Sequence, residues 1–175
     1  PVRMSLTWRV PLREWTASSS TGAIFAARSN SPSSSHTCSV ATPADGIEAE
    51  VVPVASLEDL KAQPPGRIAG RIVFFSKHME RSRDGSGYGK TVPPRGSGAA
   101  EAARLGAVAM VMRSAGTSVS RTPHTGAQRY ADGIPSIPAF ALSNPDAVVL
   151  EQQFASGEPV RLRVTSTSRW DGEAQ

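Results

Sequence analysis

A sheet-rich α+β domain is what the texture of this chain predicts. Its 15 glycines, 14 prolines and only 19% charged residues favour many short elements joined by turns over long solvated helices. The stretch from Gly96 to Ser114 predicts a helix and then a strand. Ser97 to Leu105 is rich in helix formers, Gly106 suits the left-handed residue that ends a helix, and Ala107 to Met112 is an uncharged run too short for another helix. Val160 to Thr165 alternates apolar and polar residues, as a strand with one wet face does. With 175 residues and 39% hydrophobic content, one core is expected rather than two.

From the start of the chain, Val2 to Trp15 has the pattern for one or two strands, with Thr7, Trp8, Val10, Leu12 and Trp15 as burial candidates. Thr16 to Ser39 is serine-rich and reads as a flexible segment, apart from an apolar island at Ala23 to Ala27 that would suit an edge strand. Thr42 to Gly46 is a turn cluster, and Ile47 to Val54 alternates as a strand. Ser56, with Asp59 three positions on, fits the N-cap of a short helix over Leu57 to Ala62, which Pro64-Pro65-Gly66 ends. Gly70 to Phe75 is a second apolar strand, rich in β-branched and aromatic residues.

Ser76 to Arg95 follows as a polar, glycine-rich loop of the length that carries function. In the helix after it, Ala99, Ala102 and Ala103 share a face. In the next strand, Ala107, Ala109 and Val111 are expected beneath that alanine face, with Val108, Met110 and Met112 filling a core on the far side. A second long loop, Ala115 to Gly133, leads to a strand over Ile134 to Leu142, with Pro135 and Pro138 near its start or at a bulge. Ser143 or Asn144 caps the last helix, Pro145 suits its first position, and Asp146 favours its dipole. Ala147, Leu150 and Phe154 form its apolar face and Gly157 closes it. Ser166 to Gln175 is polar and expected to fray.

Composition and motifs narrow the function mostly by exclusion. The net charge of +4 and pI near 9.8 come from scattered arginines that form no basic run or aromatic platform, so they read as a solvated surface and nucleic acid is not an expected partner. No stretch approaches the roughly 20 apolar residues of a membrane span, and no signal leader opens the chain as given. The single cysteine, Cys38, excludes an internal disulfide and reads as a free thiol. Asp84-Gly85-Ser86-Gly87-Tyr88-Gly89-Lys90-Thr91 ends like a phosphate-binding loop. It has Asp84 where glycine is required, however, and Pro93-Pro94 argue against the continuous helix that such a loop must feed. His36, His78 and His124 lie in separate loops without a metal-binding spacing, and no nucleophile elbow is present, so no catalytic or metal residue is expected in this chain.

Gly70-Arg71-Ile72-Val73, Gly106 to Val111, Ile137 to Ser143, the helix from Asp146 and the last alternating strand together resemble the protease-associated domain. Within that family, Gly89 to Gly98, Arg113-Ser114, Ser120 to Gly126, Tyr130 and Asp132-Gly133-Ile134-Pro135 are similar to the insert of carboxypeptidase Q-type zinc metalloexopeptidases. The resemblance runs from about Val40 to Thr165. It divides the chain into a serine-rich segment at 1–39 without a counterpart, a protease-associated-like domain at 40–170, and a tail at 171–175. A divergent segment, an artefact or an upstream frame error would each explain the first part.

The resemblance implies a small open β-barrel or sandwich with two flanking helices. Its implied role is non-catalytic: shaping substrate access or subunit contacts beside a linked peptidase domain that holds the zinc. It further implies a catalytic domain, a peptide substrate or another subunit as partners, with a homodimer among the assemblies, and a secreted or periplasmic setting. Tyr88, Arg95, Arg113, His124, Thr125 and Tyr130 are the expected interaction or cleft-facing residues of the two long loops. A truncated metallopeptidase with activity supplied elsewhere and a free-standing peptide-binding module are the alternatives.

Overall fold

The structure, a computed structural model, describes residues 39–64 and 66–167, together with the backbone of the short strands that precede them. Those strands are β1 (Met4–Val10), β2 (Arg13–Ser18), β3 (Gly22–Ile24) and β4 (His36–Thr37). The expected burial of Thr7, Trp8, Val10, Leu12 and Trp15, the thiol of Cys38 and the tail at 171–175 fall outside the described residues. Then come β5 (Ile47–Val54), α1 (Leu57–Lys61), β6 (Ile72–Phe75), α2 (Ser86–Thr91) and α3 (Pro93–Arg104). They are followed by β7 (Ala109–Arg113), β8 (Gln128–Arg129), β9 (Ala139–Leu142), α4 (Asn144–Phe154) and β10 (Arg161–Ser166).

One eight-stranded sheet runs in the order β2-β1-β10-β5-β6-β7-β9-β3, and it curls until β1 lies near β3, making a mixed α+β open barrel. Strand β5 joins its two regimes. Ile47 to Glu50 pair antiparallel with β10, whereas Val51 to Val54 pair parallel with β6. From there β5, β6, β7 and β9 are all parallel, so their C-terminal ends open on one edge of the sheet. The parallel strands are buried on both faces and read as continuous apolar runs, while β10 alternates exposed arginines with buried Leu162 and Val164.

The local signals work as elementary chemistry requires. The Ser56 hydroxyl accepts the Asp59 N–H at the start of α1, and the Ser143 hydroxyl accepts the Asp146 N–H at the start of α4. Gly106, at φ 81°, takes the left-handed turn after α3.

Three expectations are corrected. First, the segment 76–95 is not all loop, because Ser86–Thr91 forms α2 and α3 already begins at Pro93. Proline lacks an N–H, but the first positions of a helix need none, so Pro93 and Pro94 open α3 rather than blocking it. The Lys90-Thr91 pair therefore ends one short helix, and the next begins with two prolines rather than with the free N–H groups of a phosphate-binding turn. Second, the faces of β7 are the reverse of the expected ones. Met110 and Met112 pack with Val73, Phe75 and the alanines of α3, while Ala109 and Val111 join Phe74, Phe140, Ala147 and Leu150 on the α4 side. Volume explains this: an alanine face leaves room that methionine fills, and two small faces would leave a void. Gly98 shows how close the approach is, since a Cβ there would sit 2.8 Å from the Phe75 ring. Third, the strand expected over Ile134 to Leu142 forms only from Ala139, after both prolines.

Candidate functional site

The edge where the parallel strands end carries most of the polar chemistry. The segment 114–128 runs across it as a strap from α4 to α3. Ser114, fully buried at the end of β7, donates its hydroxyl to Leu142 O at 2.6 Å and accepts the His124 N–H at 2.8 Å. Nearby, Asn144 at the start of α4 donates its amide to Gly116 O (2.8 Å) and Ser118 O (3.0 Å). The Arg121 guanidinium lies 3.6 Å from the buried Asp146 carboxylate, which also receives the Ser143 hydroxyl. The strap therefore begins tied to α4 by an amide and an ion pair.

Beneath it, Arg113 points to the α4 side of the sheet and is 7% exposed. Its Nη1 reaches Glu151 Oε1 at 2.9 Å, and His78 Nε2 lies 2.9 Å from the other oxygen of the same carboxylate. One acid thus gathers the ends of β6 and β7 onto α4.

The strap finishes against α3. Gln128, fully buried, donates Nε2 to Arg95 O at 2.7 Å, leaving its Oε1 without a protein partner. The Arg95 side chain runs over Gly126, where a Cβ would stand 2.8 Å from its Cδ and Nε. Its guanidinium carbon sits 5.5 Å from the ring centroid of Tyr88 on α2. Helix α2 itself is seated closely on the preceding loop, since any side chain at Gly87 would strike the Glu80 carbonyl.

Of the residues expected from the sequence, Tyr88 and Arg95 come together on the α3 flank. Arg113 and His124 lie on either side of Ser114, Arg113 turned inward and the exposed His124 with Nδ1 3.4 Å from Ala115 O. Thr125 is half-buried between His124 and Gly126. Tyr130 is buried apart from both groups, its hydroxyl donating to Ile137 O at 3.2 Å and accepting the Ile137 N–H at 3.3 Å. Burial pushes its phenol up from the usual value. Sequence reading missed His78, Gln128, Asn144 and Glu151 as members of this edge. Glu151 looked like any solvated helix residue, and only its apposition to β7 reveals the ion pair.

The chemistry of this arrangement is that of fastening. The Ser114 hydroxyl is held by two backbone groups, with no imidazole bonded to it among the described residues, and Glu151 lies between two cationic or basic side chains. A zinc ion does not fit here: among the described residues no three His, Cys, Asp or Glu side chains converge, and Arg113 occupies the carboxylate that His78 approaches. Among the described residues no helix is long and apolar enough to cross a membrane.

No family model matches the chain. Mouse carboxypeptidase Q is 36% identical over 126 residues, which are 72% of this chain and 25% of that protein. A solved peptidase M28 precursor from Shewanella amazonensis superposes with a TM-score of 0.81 at 32% identity, over 98% of this chain and 36% of that one. The zinc aminopeptidase from Bacillus subtilis shares the fold at a TM-score of 0.50 and 15% identity, over 95% of this chain and 31% of that one. The chain spans about a quarter of the length of the curated relatives it matches. It is thus a peptidase-related chain, homologous to a quarter-length region of the carboxypeptidase Q peptidases, with a fold of protease-associated type.

Proposed function

We propose that this chain is a non-catalytic accessory domain of a zinc-dependent exopeptidase, and that the strap edge is the face it turns toward substrate or subunit. One observation carries the reading: the nucleophile, imidazole and carboxylate at this edge are each engaged in holding loops. The Ser114 hydroxyl joins β7, β9 and the strap, and Glu151 joins Arg113 and His78. The likeness to carboxypeptidase Q, of which the chain spans a quarter, supports a linked peptidase domain as partner, and in this reading the expected zinc belongs to that domain. That assignment brings with it the secreted or periplasmic setting, and makes peptide substrate or a second subunit, including a homodimer, the natural contacts of Tyr88, Arg95, His124 and Thr125, with the buried Arg113 and Tyr130 holding those loops from within. The domain limits of 40–170 and the tail at 171–175 belong to the same proposal.

The purified chain, assayed for bound zinc and for chelator-sensitive peptide hydrolysis, tests it. Neither is expected. Stoichiometric zinc accompanied by chelator-sensitive hydrolysis overturns the accessory role in favour of a truncated but active peptidase.

A further inference from the structure

We propose that Arg95 anchors a carboxylate-binding subsite on the α3 flank of the strap. The other cations that hold this edge already have their acid: Arg113 has Glu151 and Arg121 has Asp146. The same holds at the opposite edge, where Arg71 has Glu50, Arg104 has Glu101 and Arg161 has Glu48. Arg95 is arranged differently. Among the described residues its guanidinium has no carboxylate within ion-pair distance and no hydrogen-bond acceptor, yet its course is fixed along its length. Its backbone carbonyl is held by the fully buried Gln128 at 2.7 Å, and its Cδ and Nε lie against Gly126, where a Cβ would come within 2.8 Å. Its guanidinium carbon rests 5.5 Å from the ring centroid of Tyr88, and that tyrosine is 37% exposed, so the pair is open to solvent.

A freely solvated arginine loses rotamer entropy when it binds an anion. One already stacked and wedged loses less, and it presents a planar fork of donors that matches a carboxylate. Gly126 is the telling part of the arrangement. It is not among the glycines with positive φ, so its backbone would accept alanine, and the room it leaves is occupied by Arg95. The carboxylate is assigned to a peptide, which rests on the accessory-domain reading; the clamped guanidinium itself does not.

The test follows the arginine Nε–Hε resonances of the 175-residue chain during titration with four probes. They are Ala-Ala-Ala with a free carboxyl, its C-terminal amide, acetyl-Ala-Glu-Ala-amide, and inorganic phosphate. Arg95 is expected to respond to a carboxylate probe and not to the uncharged amide, and comparison of the two carboxylate probes identifies a chain terminus or a side chain as the source. Arg95→Gln should weaken that binding about tenfold or more. Gly126→Ala should weaken it as well, with a melting temperature no lower than that of Arg95→Gln, because the added methyl displaces only a side chain. Should Gly126→Ala melt below Arg95→Gln, Tyr88→Leu takes its place as the positional variant. Undiminished binding in Arg95→Gln, no response to either carboxylate, or phosphate binding as tightly as the peptides overturns the proposal. Any of these leaves the accessory role standing, whereas zinc-dependent hydrolysis would remove that role and leave the subsite in place.

Discussion

The two flanks of the strap are fastened by different chemistry. Toward α4, ion pairs are added to the Asn144 amide: Arg113 and His78 share Glu151, and Arg121 approaches Asp146. Toward α3 the fastening is neutral: an amide on a carbonyl, an aromatic face and a glycine with no side chain to interfere. A charge that is buried must be matched where it lies, so the acids of α4 belong to the architecture. A charge held by neutral contacts and left half-exposed keeps its hydrogen-bonding capacity for something else. The comparison therefore assigns structure to one flank and recognition to the other, although both carry arginines that look alike in sequence.

Arginine substitutions break or sharpen that contrast most directly. Arg113→Ala leaves Glu151, which is 25% exposed, with only His78, and should cost about 3 kcal/mol of unfolding free energy. Arg95→Ala removes no ion pair seen among the described residues and should cost about 0.5–1 kcal/mol, the worth of its stacking on Tyr88. Urea unfolding of both variants at one pH measures the difference. Equal losses would erase the distinction between the flanks.

Ser114→Ala asks how firmly the middle of the strap is held. The buried hydroxyl bridges Leu142 O and the His124 N–H, so its loss should destabilise by about 1–3 kcal/mol. Hydrogen exchange sharpens the reading: the His124 amide should lose protection while amides of β10 keep theirs. Protection unchanged at His124 would mean that the α4 fastenings hold the strap without Ser114.

Much of the scaffold was legible in the sequence because it rests on local rules. Ile47–Val54 forms the strand expected of it, Ser56 and Ser143 cap their helices, and Gly106 turns the chain after α3. The reversed faces of β7 were not legible, since alternation says which residues share a face and only the volume of the facing helix decides which face it covers. Helix α2 was hidden by its two internal glycines, which lower helix propensity. One of them, Gly87, is there because α2 must approach the Glu80 carbonyl. For the candidate edge, the sequence offered Tyr88, Arg95, Arg113 and His124 as loop residues without saying which would meet. That Arg113 turns inward to Glu151 while Arg95 lies on Tyr88 depends on contacts between residues far apart in the chain, 38 positions apart for Arg113 and Glu151.

A small effect is also expected just beyond the strap, where Tyr130 holds Ile137 through both bonds of its hydroxyl. Burial raises its phenol above the ordinary value of 10.0, so the folded protein retains that proton more tightly than the unfolded chain does. By linkage, the stability this contributes is fully present below about pH 10 and is lost as pH rises through the folded pKa. Tyr130→Phe should cost about 1 kcal/mol near neutrality, from the partner that Ile137 loses. The difference in stability between the native chain and Tyr130→Phe should then shrink from about pH 9 to about pH 11, because only the native chain carries the titrating phenol. Denaturant unfolding across that range measures it. A difference that stays constant with pH would mean that the hydroxyl keeps its proton equally well in both states. The neutral fastening of Tyr130 to Ile137 would then carry no pH dependence of its own.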